Sequence, residues 1–254
     1  MTDPLNPILL HAADGISAYD DRATFKTVES AVLQLWDVVD NLTRIYPPKH
    51  ERYRVTIFGS ARLHPEDLLY TQVRQLASEL TAMGCDIVTG GGPGLMQAAN
   101  EGSVIADPEN LTQSIGVRIA LEQEQQANPF VEEVYHHRTF FSRLHHFVVL
   151  SDAFVVVPGG IGTTLETMMV WQLLQVRKLH HVPLILVGSM WVDLVDWAER
   201  HMVEVTPPLA NAVDVRIPTC VETCSEAIAL LQQYQTQWQN TRVVNPQCPT
   251  PESI

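Results

Sequence analysis

The segment DAFVVVPGGIGTTLE (152–166) joins a short apolar run to a glycine-rich turn and then to a stretch that has the character of a helix start. The run AFVVV is apolar at every position and rich in β-branched residues, which is typical of a strand buried on both faces of a parallel sheet. The glycines of PGGIG let backbone N–H groups approach a ligand, and the helix that follows presents the positive end of its dipole to an anion. The segment therefore predicts a strand, a turn and a helix, with an anion site at the turn.

Short strands and helices alternate outward from this segment in both directions. Apolar runs predict strands at 54–59, 85–90, 114–120, 131–137, 153–157, 182–188 and 213–217. Apolar residues at helical spacing predict helices at 67–83, 93–106, 138–151, 163–177, 190–203 and 222–238. This order predicts an α/β fold, in which a doubly wound, mostly parallel, Rossmann-like sheet carries helices on both faces.

Three regions are predicted along the chain. Residues 24–46 have apolar residues at helical spacing and end before PPKH, so 1–50 is predicted to be an N-terminal helical extension. Residues 51–238 form the predicted nucleotide-binding α/β domain. The end at 239–254, rich in Gln, Asn and Pro, is predicted to be a flexible tail.

The charge and composition of the 254-residue chain argue against several classes of function. A formal net charge of −13 disfavours binding to nucleic acid through general attraction to phosphates, which needs clustered Lys and Arg. The four cysteines form no CxxC pair and no dense disulfide framework, which is typical of a reducing compartment. No stretch is long enough to span a membrane, and the start lacks the basic and apolar regions of a signal peptide. We expect a cytoplasmic protein that binds neither membrane nor nucleic acid.

Glycine-rich turns follow three of the predicted strands: GSAR (59–62), TGGGPGLMQAAN (89–100) and PGGIGTTLE (158–166). Ligands of doubly wound sheets bind outside the carboxyl ends of the strands, where such turns lie. One turn of this kind is explained equally well by a tight change of chain direction, but three in one sheet favour a ligand site. The turns lack the GK[ST] ending of a P-loop and the GxGxxG spacing of a dinucleotide site. They therefore predict a site for a monophosphate.

These strings resemble the Lonely Guy (LOG) phosphoribohydrolases, a family long labelled as possible lysine decarboxylases. PGGIGTTLE matches the family pattern PGGxGTxxE, and TGGGPGLMQAAN matches its GGGxxGLM-type loop; FGSAR, LEQEQQAN and LHHVPLILVG are similar to the longer bacterial branch. The resemblance runs from about Val55 to Gly188. It implies an enzyme that cleaves the N-glycosidic bond of nucleoside 5′-monophosphates of the AMP or cytokinin type, releasing the free base and ribose 5-phosphate.

The resemblance also implies roles for individual residues. Arg143 matches the family's arginine before the PGG strand, and Glu166 ends the PGGxGTxxE motif. Splitting an N-glycosidic bond passes through an oxocarbenium-like sugar, so a carboxylate at Glu166 suits charge stabilisation or orientation of the water, and Arg143 suits positioning. The predicted substrate- and phosphate-binding residues are Ser60, Gly91, Gly92, Gly94, Met96, Glu124, Gly159, Gly160, Gly162 and Thr163.

Two of these residues have another interpretation. Thr163 and Glu166 also fit a capping box, in which a threonine at the N-cap and a glutamate three residues later satisfy free backbone N–H groups.

Another pair of alternatives concerns Leu144, which stands where the family has a lysine after the arginine. Either the missing cation weakens anion binding, or Leu144 packs under its helix and Arg138 or Arg62 supplies the second positive charge.

Cofactors and partners complete the prediction. The His pairs at 136/137, 145/146 and 180/181 do not form a metal motif, so we expect neither a metal nor a redox cofactor. A homodimer or higher homo-oligomer is expected, because related proteins build their sites near a subunit boundary and the helix after PGGIGTTLE has a broad apolar face (Met168, Met169, Trp171, Leu174). The alternative to an enzyme is a non-catalytic nucleotide or molybdenum-cofactor carrier, which shares a related fold and glycine loop but does not need Arg143 and Glu166.

Overall fold

A computed structural model describes residues 50–119 and 127–244. The predicted N-terminal extension up to position 49, Glu124 and the end of the predicted tail from 245 lie outside these residues. The strands are β1 Arg54–Phe58, β2 Asp86–Thr89, β3 Ser114–Ile119, β4 Glu133–His137, β5 Ala153–Val156, β6 Leu184–Val187 and β7 Thr219–Val221. The helices are α1 Leu68–Ala82, α2 Leu95–Ala106, α3 Phe140–Leu150, α4 Ile161–Gln175, α5 Ser189–Ala198, α6 Ala212–Val215 and α7 Cys224–Val244, and a π-helical turn at Glu199–Val203 follows α5.

The seven strands form one sheet in the order β4-β3-β2-β1-β5-β6-β7, and every neighbouring pair is parallel. The chain first builds outward from β1 to β4, then returns to the other side of β1 with β5 and continues to β7. The strand order thus reverses between β1 and β5, which creates a crevice at their carboxyl ends. The predicted doubly wound α/β fold is confirmed.

Two layers of apolar side chains cover the two faces of the sheet. In β1, Val55 and Ile57 pack into one layer with α1, α2 and α7, while Phe58 packs into the other with Phe147 and Phe154. Alternate residues of β1 therefore point to opposite faces, and both faces are buried. This explains why the central strands read as continuous apolar runs rather than as alternating ones.

The strand predicted at 213–217 is wrong. Ala212–Val215 form the short helix α6, and the edge strand lies further on, at Thr219–Val221. A strand would place Val213 and Val215 on the same face of the sheet. In the helix they differ, since Val213 is 73% exposed while Val215 is buried. The other predicted elements lie where expected within two residues, except that α7 continues to Val244 and the predicted helix at 190–203 is α5 with the π-helical turn.

No helix within the described ranges 50–119 and 127–244 is both long and apolar enough to cross a membrane.

Helices α1 and α2 approach each other closely at Gly102. A Cβ atom there would lie 2.1 Å from the carbonyl oxygen of Arg74. Polar pairs surround the contact, since Tyr70 donates to Glu101 at 2.7 Å and Thr81 donates to Ser103 at 3.0 Å. These contacts fix α2 against α1.

Gly102→Ala is expected to destabilise the protein by about 1–3 kcal/mol, because the added methyl group forces the two backbones apart. Thermal unfolding followed by circular dichroism measures the effect. Gly162→Ala is the matched control, since a Cβ atom at Gly162 would meet no atom within 4 Å apart from the adjoining residues and its own helix backbone. Equal melting temperatures for the two variants would show that the α1–α2 contact tolerates the methyl group.

Candidate active site

A cavity of about 790 Å³ opens at the carboxyl edge of the sheet, over the point where the strand order reverses. Its walls come from the turns after β1, β2 and β5, from the end of β3 and from the first turn of α3. The lining residues are Gly59, Ser60, Ala61, Arg62, Gly90, Gly92, Pro93, Met96, Arg118, Ile119, Phe140, Arg143, Gly160, Ile161, Gly162, Thr163 and Glu166. The three glycine-rich turns of the sequence thus meet at one site.

The turns hold one another in place through backbone contacts. The Ser60 amide donates to the carbonyl of Pro158 at 3.1 Å, and the Leu95 amide donates to the carbonyl of Ser60 at 2.8 Å. Gly94 has φ +70, and a Cβ atom there would lie 2.4 Å from the Ser60 carbonyl oxygen. Gly94 is therefore required for the approach of two turns rather than for an open surface.

A buried polar network supports the turn after β2. The Asn128 amide donates to the carbonyl of Gly91 at 3.0 Å, and its side-chain Nδ2 donates to the carbonyl of Gly92 at 2.9 Å. The same Nδ2 group contacts Asn100, which also accepts from Thr89. Because these polar atoms are satisfied by one another, the network fixes the backbone of the glycine turn.

The turn after β5 leads directly into α4. Gly160 is the N-cap and Ile161 begins the helix, so Thr163 lies inside the first turn. The capping-box interpretation of Thr163 and Glu166 is wrong, because the helix starts earlier than that pattern requires. Apart from the adjoining residues and the helix's own backbone, a Cβ atom at Gly160 or Gly162 would meet no atom within 4 Å, and both glycines line the cavity. The helix start therefore exposes its backbone to the cavity.

Arg143 and Glu166 form an ion pair in the cavity wall. Nη1 of Arg143 donates to Oε1 of Glu166 at 2.9 Å, and the two side chains are only 12% and 11% exposed. Nε of Arg143 donates to the carbonyl of Val117 at 2.8 Å, and the guanidinium lies 5.0 Å from the centre of the Phe147 ring. The guanidinium also packs closely over Gly90, where a Cβ atom would lie 2.5 Å from Nη2. Four separate contacts thus hold the arginine in place.

Burial raises the pKa of the Glu166 carboxyl, and the charge and hydrogen bond of Arg143 offset part of that rise. The positive charge of Arg143 and its hydrogen bond are what favour the carboxylate form of Glu166. Removing either partner would leave a charge in a poorly solvated place. The pair can therefore present a carboxylate to a bound molecule, because Arg143 rather than water stabilises its negative charge.

The family model described as "Possible lysine decarboxylase" matches residues 96–231, which is more than half of the chain. The chain belongs to this family. Curated relatives from Escherichia coli strains K12 and O6:H1 are named pyrimidine/purine nucleotide 5′-monophosphate nucleosidase, and each is 27% identical over 140 residues. That match covers 53% of this chain and 30% of each relative, so the chain corresponds to less than a third of their length.

Solved structures give a likeness of fold. The molybdenum cofactor binding protein of Rippkaea orientalis matches with a TM-score of 0.54 at 17% identity, over 73% of this chain and 98% of its own. The molybdenum cofactor carrier protein of Chlamydomonas reinhardtii matches with a TM-score of 0.54 at 16% identity, over 73% and 99%. At these identities the likeness concerns the sheet and its helices alone.

The predicted residues of this family member fall into three groups. Those that line the cavity are Ser60, Gly92, Met96, Arg143, Gly160, Gly162, Thr163 and Glu166. Gly91, Gly94 and Gly159 lie in the surrounding turns without lining it, and a Cβ atom at Gly159 would lie 2.3 Å from the Thr163 hydroxyl. Glu124 lies outside the described residues. The substrate contacts of all these residues stay predictions.

Sequence reasoning missed Arg118 and Phe140 and treated Arg62 only as an alternative. Arg62 follows β1, Arg118 lies in β3 and Phe140 begins α3, and all three line the cavity. A signal for Arg118 was present, because a charged residue near the carboxyl end of an otherwise apolar strand faces the ligand edge of such a sheet.

A pair of histidines connects the helix of Arg143 to the sheet. Nε2 of His137 in β4 lies 2.8 Å from Nδ1 of His146 in α3. Burial and, to a smaller extent, the nearby His137 lower the pKa of His146 to about 4, so His146 is neutral at pH 7.

Within the described part of the chain, no three His, Cys, Asp or Glu residues group closely enough to hold a metal ion.

The apolar residues that suggested a subunit contact serve the core of the chain itself. Trp171 is buried and donates to the carbonyl of Asp214 at 2.7 Å, and Met168, Met169 and Leu174 pack partly buried against the same layer. The homo-oligomer therefore stays a prediction, and the apolar residues of α4 no longer support it.

Leu144 is 9% exposed, which favours the alternative in which it packs under α3. Leu144→Lys, which restores the arginine-lysine pattern of the family, is therefore expected to destabilise the protein by about 2 kcal/mol or more, since it buries a charge and removes an apolar contact. Chemical denaturation measures the loss, and Leu144→Met is the conservative control. A stable Leu144→Lys protein that binds phosphate compounds more tightly would instead support the missing-cation alternative.

Proposed function

We propose that the protein hydrolyses the N-glycosidic bond of nucleoside 5′-monophosphates and releases the free base and ribose 5-phosphate. The observation that carries the proposal is the Arg143–Glu166 pair in the wall of a cavity formed by three glycine-rich turns. The nucleosidase name of the E. coli relatives agrees with this class of reaction. AMP and cytokinin nucleotides are the first candidate substrates, as the LOG resemblance implies.

The 5′-phosphate binds at the start of α4. Gly160 and Gly162 expose backbone there, and the helix dipole favours an anion at the same place. Arg62 lies in the wall of the same cavity, in the turn whose Ser60 amide binds the carbonyl of Pro158. Arg62 therefore supplies the cation that the family places at the position of Leu144.

Glu166 acts at the sugar. As the bond between the anomeric carbon and the base nitrogen breaks, its electron pair goes to the base, which takes up a proton, and the carbon gains positive charge. The Glu166 carboxylate stabilises that charge and orients the water whose oxygen bonds to the anomeric carbon. The water loses one proton as this bond forms, which balances the proton that the base takes up. Arg143 holds the carboxylate and contacts ribose or phosphate oxygens, so it positions both partners.

The non-catalytic carrier is the competing function. A carrier needs a cavity and anion-binding turns but has no use for a buried carboxylate that a partly buried arginine holds in the wall. The desolvation cost of such a pair favours a chemical role over simple retention of a ligand.

Glu166→Gln is expected to lower kcat by about 100-fold or more while nucleotide binding remains, because the amide keeps the shape and loses the charge. Release of free base from nucleoside monophosphates measures kcat, and calorimetry measures binding. Glu199→Gln is the matched control, since Glu199 pairs with Arg216 outside the cavity and its loss should leave turnover unchanged. Near-normal turnover of Glu166→Gln would remove Glu166 from the mechanism.

Nucleoside monophosphates are expected to raise the melting temperature more than the matching nucleosides, because only the former reach the start of α4 with an anion. Differential scanning fluorimetry with AMP and adenosine at equal concentrations provides the comparison, and ribose 5-phosphate should reproduce part of the shift. Equal shifts for AMP and adenosine would mean that the glycine turns do not hold phosphate.

A further inference from the structure

The cavity extends across four strands, and its two ends differ in chemistry. The start of α4 follows β5, whereas Arg118 and Ile119 lie at the end of β3. The strand order β3-β2-β1-β5 puts three strand spacings between these ends, or about 14 Å. This span is comparable to the length of a nucleoside monophosphate, so one ligand can occupy both ends.

The ion pair connects the two ends. Arg143 is bound to the carbonyl of Val117, the residue before Arg118, and its guanidinium reaches Glu166 on α4. If the phosphate lies at the start of α4 and the anomeric carbon lies at Glu166, the base must extend onward to the end of β3. Met96 and Ile119 offer it apolar contact there.

Arg118 is placed to contact that base. It is half-buried, it lines the cavity, and its stem crosses the turn after β2 at Gly91. A Cβ atom at Gly91 would lie 3.1 Å from Cγ of Arg118, so a side chain at Gly91 would crowd the arginine stem. The backbone at this glycine thus helps to define where the guanidinium lies.

We infer that Arg118 reads the edge of the base and that the protein prefers guanine and hypoxanthine nucleotides to adenine nucleotides; this rests on the proposed function. A guanidinium offers five N–H donors in a fixed fork, so it can keep a contact with the protein and still donate twice to a ligand. O6 and N7 of an oxopurine accept two such bonds. Adenine has N7 but presents an amino donor at position 6, which opposes the donors of the arginine. The preference departs from the adenine-type substrates that the family resemblance implies.

The test compares kcat/KM for GMP, IMP and AMP in the wild-type protein and in Arg118→Gln. We expect GMP and IMP to exceed AMP by about tenfold. A glutamine amide pairs with the N6 and N7 edge of adenine, so Arg118→Gln should lower the values for GMP and IMP and keep or raise that for AMP. Arg62→Gln is the matched control and should lower all three by the same factor, because Arg62 is assigned to the phosphate. Equal wild-type values, a preference for AMP, or a uniform loss in Arg118→Gln would overturn the inference.

Two further measurements separate this inference from the proposed function. If the wild-type protein cleaves none of the three nucleotides, the proposed function fails, and calorimetry of GMP and AMP binding decides the inference alone. Tighter binding of GMP that Arg118→Gln abolishes would support it, and equal binding would overturn it. If Arg118→Gln does not fold, Arg118→Met keeps an unbranched stem but has no N–H donor, so it should bring the ratio of GMP to AMP close to one. An unaltered ratio in Arg118→Met would also overturn the inference.

Discussion

The largely buried ion pair of Arg143 and Glu166 is the interaction on which the candidate site depends. It joins α3 to α4, because Nη1 of Arg143 lies 2.9 Å from Oε1 of Glu166, and Nε of Arg143 also donates to the carbonyl of Val117 in β3. Two helices and a strand are thereby linked at the carboxyl edge of the sheet. Desolvation of both charges opposes this arrangement, so the pair is weak evidence for stability and better evidence for chemistry.

The glycines around the pair perform two different tasks. Gly94 and Gly159 let the turns pack against Ser60 and Thr163, where a methyl group would clash. Gly160 and Gly162 instead leave backbone open to the cavity. A glycine-rich motif therefore does not consist of equivalent ligand contacts, since part of it only makes the walls possible.

The charge of the cavity contrasts with that of the whole chain. The formal net charge is −13, yet the described lining residues include Arg62, Arg118 and Arg143 against Glu166 alone. The described part of the cavity lining thus carries more positive than negative side chains, in contrast to the chain as a whole.

The alternation of strands and helices and the three glycine-rich turns could be predicted from the sequence, because periodicity and turn chemistry are local properties. The candidates Arg143 and Glu166 rest on the resemblance to the LOG family, since Thr163 and Glu166 by themselves also fit a capping box. The helix at 212–215, the start of α4 at Ile161 and the burial of Leu144 could not, since they depend on which surfaces pack together. The sequence places Arg118 near the carboxyl end of a strand, but only the order β3-β2-β1-β5 puts that end beside the cavity that Glu166 also lines. Residues far apart in the chain meet through sheet order, and sheet order is set by the packing of helices on both faces rather than by any single segment.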